Sequence, residues 1–272
     1  MTVELTKAVI LARGLGTRMR KDDDSARLTS EQAAMAQTGL KAMINVGRPF
    51  LDYALSALAD AGYRRVCLVI GPEHDAARKY YGDMRPRRLS IEFAVQAQPK
   101  GTADAVAAAE PFAAGDDFLV VNSDNYYPVE ALRALGEAAG PAVALFDHEA
   151  MLREGNVSEE RLRRFAVGLI DEQGFLRRVL EKPDEETWDA LPRPIWVSMN
   201  CWRFGPAIFD ACRAIGPSPR GELELPYAVQ HAIDVLGVRF RAVTVRAPVL
   251  DLTGREDIAA VAARLAGKEV AL

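Results

Sequence analysis

Lys7 to Arg20 reads KAVILARGLGTRMR. Its apolar run, residues 8–12, has the length and composition of a buried strand. The run is followed by Gly14 and Gly16, then Thr17, Arg18, Met19 and Arg20. Glycines permit a tight turn and let backbone N–H groups come close to a ligand. Successive N–H groups in such a turn form a concave anion site. Arg18 adds a forked, permanent positive charge. Strand, glycine turn and cation together predict a phosphate-binding loop; an ordinary strand-to-loop turn is the plainer alternative. Two familiar glycine loops do not fit. The dinucleotide fingerprint needs a third glycine where Met19 stands, and no Gly-Lys-Ser/Thr triplet of a P-loop follows.

Outward from this loop, the first half alternates strands with helices. Strands are expected over 8–12, 66–70, 91–95, 118–121 and 142–146. Helices are expected over 28–37, with Thr29 or Ser30 as N-cap, and over 50–61, 73–81, 102–109 and 129–138. Thr102 is an N-cap candidate, and Pro111 closes its helix. This pattern predicts an α/β fold: a Rossmann-like mixed, mostly parallel sheet flanked by helices. Ligands in such sheets bind beyond the carboxyl ends of the strands. The second half changes character. Strands over 164–170 and 175–180 flank Asp171-Glu172-Gln173-Gly174, a hairpin signal. A strand over 195–204, helices over 206–214 and 225–236, a strand over 239–245 and a helix over 255–265 follow. This half reads as an antiparallel addition to the sheet. With no linker or repeat, one domain over 1–272 is expected, with halves 1–150 and 151–272.

The composition, 49% hydrophobic and 26% charged, suits a globular core. A net charge of −4 argues against an electrostatic nucleic-acid binder. No uninterrupted apolar stretch is long enough to span a bilayer, so no membrane partner is expected. Glu4 precedes the first apolar run, which argues against a signal peptide and for a cytoplasmic chain. Cys67, Cys201 and Cys212 are scattered, odd in number and set in apolar surroundings; buried free thiols are expected. The three histidines lack metal-ligand spacing. Asp22-Asp23-Asp24 lacks a preceding strand and reads as a solvated loop.

The opening loop resembles the Gly-x-Gly-Thr-Arg signature of sugar-nucleotide pyrophosphorylases, the sugar-1-phosphate nucleotidyltransferases. In that family the signature runs on to a lysine, here Lys41 in GLKAMINVG. Arg13 and Leu40 depart from the usual small residue and proline. Gln98-Pro99-Lys100-Gly101-Thr102-Ala103 resembles the second nucleotide-contacting stretch. Val120-Val121-Asn122-Ser123-Asp124 resembles the strand that ends in a metal-binding aspartate, with Ser123 where glycine is usual. Glu181-Lys182-Pro183 resembles the sugar-phosphate site, and residues 197–204 the strand lining the sugar pocket. Arg220-Gly221-Glu222-Leu223-Glu224-Leu225 resembles glucose-1-phosphate thymidylyltransferases in particular. Residues 249–254 precede the last helix and place Asp251 at the second metal position, without the usual tryptophan.

The resemblance implies a nucleoside triphosphate and a sugar 1-phosphate as partners and Mg²⁺ as cofactor. It implies nucleotide contacts at Ala12, Gly14, Gly16, Thr17, Gln98, Gly101 and Thr102. Arg18 and Lys41 would hold the triphosphate as catalytic cations. Glu181, Lys182, Ser198, Asn200 and Arg220 would hold the sugar phosphate, with Lys182 also catalytic. Asp124 and Asp251 would hold the metal. A β-helix extension carried by some relatives is not expected. Rival readings are a glycosyltransferase of related architecture and a regulatory module that binds nucleotide sugars without turnover. Base, sugar and oligomeric state stay open, a homo-oligomer included.

Overall fold

The computed structural model describes residues 5–21, 26 and 28–272. Asp22 to Asp24 lie outside them. Eleven strands are present among the described residues: β1 (Lys7–Leu11), β2 (Arg65–Ile70), β3 (Ser90–Val95), β4 (Phe118–Asn122), β5 (Asn125–Tyr126), β6 (Ala142–Asp147), β7 (Ala166–Ile170), β8 (Leu176–Leu180), β9 (Trp196–Phe204), β10 (Arg241–Val245) and β11 (Leu250–Asp251). The main sheet runs β10-β6-β9-β4-β1-β2-β3, with the hairpin β7–β8 attached to β9.

The near-continuous apolar character of β1, β2 and β4 has a direct cause: both faces of the sheet are covered. Side chains alternate across it. Ala8 and Ile10, Leu68 and Ile70, and Leu119 and Val121 join one core cluster. Val9 and Leu11, Cys67 and Val69, and Phe118 and Val120 join the other. Leu51, Leu55 and Leu58 of the helix Phe50–Asp60 cover the first face. The second is covered by Ala103 and Val106 of Thr102–Ala108, Phe209 of Ala207–Ala214 and Val229 of Leu225–Asp234. The helix Phe50–Asp60, expected to bury one face, is buried at every position but Asp60. It packs against two clusters at once. Cys67, Cys201 and Cys212 are free and buried.

Strands β3, β2, β1 and β4 pair in parallel. The chain leaves β1 for β2 and β3 on one side, and β4 returns to its other side, so the order reverses at β1/β4. Open α/β sheets bind ligands at such a switch point. The antiparallel part of the second half goes further than an appendage. β9 lies inside the sheet, antiparallel to both β4 and β6. β10 closes the edge in parallel with β6.

Several boundaries and elements differ from the sequence reading. Gly101 rather than Thr102 is the N-cap of Thr102–Ala108, and the Thr102 hydroxyl instead accepts from the Leu225 N–H at 2.8 Å. That helix ends at Ala108, and Pro111 sits in the first turn of a separate one, Glu110–Ala113. The helices His148–Glu154, Glu159–Leu162 and Glu185–Asp189 were not anticipated, nor was the two-stranded sheet β5–β11. All are too short to show a period.

Candidate active site

A cleft of about 440 Å³ opens at the switch point. Its floor is the loop after β1, and its walls come from Lys41, the end of β4, Gly101–Thr102, Asn200 and Arg220. It gathers Ala12, Gly14, Gly16, Thr17, Arg18, Lys41, Gly101, Thr102, Asp124, Asn200 and Arg220 from the sequence expectations. Gln98, Glu181, Lys182, Ser198 and Asp251 do not line it. Ser198 is buried in the sheet, paired with Leu145 and Ala166.

Two glycines make the cleft by close backbone approach. Gly16 has φ +59°, and a Cβ there would lie 2.2 Å from the Gly39 carbonyl oxygen. Gly101 has φ +126°, and a Cβ there would lie 2.4 Å from the Leu223 carbonyl oxygen. The Ala103 N–H donates to that same oxygen, at 2.8 Å. The second contact ties the second-half loop 218–225 to the nucleotide side of the cleft. Asn200 has φ +53°, a left-handed backbone that asparagine tolerates. It sits where β9 slips register against β6, and this bulge turns the strand toward the cleft.

The charged residues form an alternating chain. Lys41 Nζ lies 2.7 Å from Asp124 Oδ2, with both side chains partly screened from solvent. Among the described residues no hydrogen bond reaches Asp124 Oδ1. The β5–β11 pairing sets Asp251 against Asn125, and the Leu252 N–H donates to the Asp124 carbonyl at 2.8 Å. Burial, then the adjacent Asp124 charge, pushes the Asp251 carboxyl above the usual aspartate range; Arg161 and Lys41 oppose the rise. The carboxylate of Asp124 fits a divalent ion, since Mg²⁺ takes one or two carboxylates and completes its shell with phosphates and water.

Sequence reasoning missed three participants. Gln96, the first residue past β3, is 4% exposed and lines the cleft, whereas Gln98 is exposed. The Gln96 amide donates to the Gly101 carbonyl at 3.0 Å and to Asp104 Oδ2 at 2.7 Å. Its place at the carboxyl end of a strand was the available signal. Arg13 turns toward β2 and pairs with Glu73 at 3.2 Å over Gly71, which leaves the loop's backbone open. Arg161, from a helix of four residues, offered no signal.

Beside the cleft, Lys182 follows β8 with φ +42°, an uncommon backbone for a non-glycine residue and one that clusters at functional sites. Glu181 is raised above the ordinary glutamate value by burial first and the Glu224 charge second, with Lys182 and Arg220 pulling the other way. Arg220 pairs with Glu224 at 2.8 Å. A raised carboxyl pKa favours folding only while the group is protonated, and the advantage is lost as pH rises through the folded-state value. Glu181→Gln is therefore expected to raise the melting temperature at neutral pH. The gain should vanish as pH falls below the ordinary glutamate value. Melting curves across that range check it, and a gain that persists at low pH would exclude titration of Glu181 as the cause.

An open α/β sheet with a glycine-walled, cation-bearing cleft at its switch point has the form of an anion-binding site. The chain belongs to the nucleotidyl transferase family, whose model matches residues 7–241. It is 31% identical over 232 residues to a glucose-1-phosphate thymidylyltransferase of Streptomyces antibioticus, covering 84% of this chain and 57% of that protein. It is 29% identical to a UTP–glucose-1-phosphate uridylyltransferase of Haloferax volcanii, covering 85% of this chain and 83% of the other. The chain thus spans little more than half of the first relative's length. A solved UDP-glucose pyrophosphorylase complexed with UDP-glucose has the same fold, with a TM-score of 0.75 at 18% identity, covering 97% of this chain and 100% of that one. No helix among the described residues is long and apolar enough to cross a membrane.

Proposed function

We propose that this chain joins a nucleoside triphosphate to a sugar 1-phosphate, giving a nucleotide sugar and pyrophosphate. The observation that carries this is the meeting in one cleft of the Gly14–Arg18 loop, the Lys41–Asp124 pair and Arg220. A phosphate oxygen of the sugar phosphate attacks the α-phosphorus. One P–O bond forms there, and the bond to the β-phosphate oxygen breaks, so the electron pair leaves with pyrophosphate. No general base is needed, because a phosphate monoester with a second pKa of about 6 is largely ionised at neutral pH. The protein's task is to hold two anions in line and neutralise their charge.

The backbone N–H groups of the Gly14–Thr17 loop and the Arg18 guanidinium bind the triphosphate. Lys41, held by Asp124, faces the leaving pyrophosphate. Gly101 and Thr102 lie against the nucleoside. Glu181 accepts from sugar hydroxyls, while Lys182 and Arg220 bind the sugar phosphate. Asp124 would hold Mg²⁺, which would supply further charge neutralisation at the phosphates. Thymine and uracil nucleotides are the first candidates, because the relatives named above are thymidylyl- and uridylyltransferases.

Pyrophosphate release, screened over the common nucleoside triphosphates and a panel of sugar 1-phosphates with Mg²⁺, tests the reaction. Triphosphate binding without release from any pair would overturn it. Two variants test the division of the site. Lys182→Ala should raise the KM for the sugar phosphate about ten- to a hundredfold, the loss of one charge-assisted hydrogen bond, and spare triphosphate binding. Arg18→Ala should do the reverse. Measured affinities of each substrate for each variant decide, and a Lys182→Ala protein that loses only triphosphate binding would reverse the assignment.

A further inference from the structure

Arg18 and Lys41 both line the cleft, yet the whole of residues 19–40 lies between them in the chain. Their spacing is set at the base of that excursion. Arg20 ends the one-turn helix Thr17–Arg20, which also carries Arg18. The Arg20 N–H donates to the Gly16 carbonyl at 2.9 Å. Its side chain reaches the other end, where Nη2 donates to the Thr38 carbonyl at 2.7 Å, 18 residues along the chain. Thr38 closes the helix Ser30–Thr38, and its carbonyl is one that a helix end leaves without an internal partner. Arginine suits such a carbonyl both as a donor and by its charge. The backbones meet at the same place. Gly16 and Gly39 are buried, and a Cβ on Gly39, whose φ is +75°, would lie 2.6 Å from the Leu15 carbonyl oxygen and 2.5 Å from Arg20 Nε. Past Gly39 the chain is pinned at each step. The Thr38 hydroxyl accepts from the Leu40 N–H at 3.1 Å, and the Lys41 N–H donates to the Gly39 carbonyl at 3.0 Å. The short helical turn Lys41–Met43 follows directly.

We propose that Arg20 is a positioning residue that clasps the end of the helix Ser30–Thr38 to the phosphate-binding loop and so holds Lys41 at a fixed spacing from Arg18. This rests on the reading of Arg18 and Lys41 as the cations that bind the triphosphate. Arg20 itself does not line the cleft. It acts through the backbone on either side: its N–H holds the turn that carries Arg18, and its guanidinium holds the turn that leads into Lys41. Without the bond to Thr38, the packing of Gly16 on Gly39 would be left to hold the two turns together. Two cations that share one polyanion depend on their spacing, and small misplacements of such groups are costly. The clasp also makes that spacing independent of the path the chain takes between Arg20 and Thr38.

A cation so near the phosphate loop also attracts anions by charge alone, and a double-mutant cycle separates the two routes. Inorganic triphosphate with Mg²⁺ is the probe, because it needs neither a base nor turnover, and calorimetry measures its affinity. Lys41→Met should weaken binding at least about tenfold, the loss of one charge-assisted contact. Arg20→Met keeps the stem and removes the donors; it should weaken binding about three- to tenfold, the scale of one exposed hydrogen bond. In the Lys41→Met background the same change should cost less than about twofold, because there is no longer a lysine to position. Arg20→Lys keeps a donor for the Thr38 carbonyl and should recover most of the affinity when Lys41 is present. Equal losses from Arg20→Met in the two backgrounds would overturn the proposal, as would an Arg20→Met protein that binds like the wild type. If Arg20→Met does not fold, Arg20→Gln, a neutral donor on a shorter stem, takes its place in the cycle. A Lys41→Met protein with unchanged affinity would overturn the reading of Lys41 and the proposal with it. A large Lys41→Met loss beside an additive Arg20→Met loss would overturn the proposal alone.

Discussion

Asp124→Asn should lower turnover about a hundred- to a thousandfold, the range seen when one electrostatic stabiliser of a transition state is removed. Asp124 is the one carboxylate among the described residues that lines the cleft on the first-half side, and it carries Lys41 at 2.7 Å. Asparagine keeps the size and loses the charge. Lys41 then loses the anion that orients it, and a divalent ion loses its protein oxygen. Stability should move little, or upward, because the repulsion between Asp124 and buried Asp251 is relieved. Steady-state kinetics with a melting curve on the same preparation check both parts. An Asp124→Asn protein that retains full turnover would remove the residue from the chemistry. A large fall in melting temperature would recast it as structural.

Gly101→Ala should destabilise the chain by about 2–4 kcal/mol and abolish measurable triphosphate binding. Left-handed or otherwise restricted backbone costs about 1–3 kcal/mol for a residue with a Cβ, and overpacking adds a similar amount. A Cβ there would come within 2.4 Å of the Leu223 oxygen and 2.7 Å of its nitrogen, so backbone has to move on one side or the other. That movement would break the Ala103–Leu223 and Leu223–Lys100 hydrogen bonds, of 2.8 and 2.7 Å. These bonds hold the nucleotide wall to the loop that carries Arg220. At about 2–4 °C per kcal/mol for a chain of this size, the melting temperature should fall by roughly 4–16 °C. A Gly101→Ala protein that melts like the wild type would show that Leu223 yields without cost. Gly14→Ala is the control for stability alone, since a Cβ at Gly14 meets nothing within 4 Å.

Arg13 shows how a departure from a familiar pattern is absorbed. From sequence it stands in a loop that prefers a small residue. In the structure its side chain is only 7% exposed and is paired with Glu73. The anion loop is made of backbone, so a side chain that leaves the concave side does not obstruct it. Asn200 is the same case on the other wall. A non-glycine residue fits the left-handed bulge because asparagine tolerates that backbone.

The sequence by itself determined the α/β alternation, the strand that feeds the glycine loop, and the residues of that loop. These are local signals: apolar runs, turn residues and charges at the ends of strands, each read within about ten residues. The family resemblance, rather than any local signal, named Lys41, Asp124 and Arg220 as expected site residues, and all three line the cleft. Only the tertiary structure decided that β9 enters the sheet between β4 and β6, because strand neighbours are chosen by long-range packing of both faces. It put Gln96 rather than Gln98 in the cleft, since β3 ends at Val95 and the chain bends at residues 97–98, which leaves Gln98 exposed. It also joined Asp251 to Arg161, 90 residues away along the chain. No local pattern marks that pair, because a buried carboxylate takes whatever cation the fold brings to it.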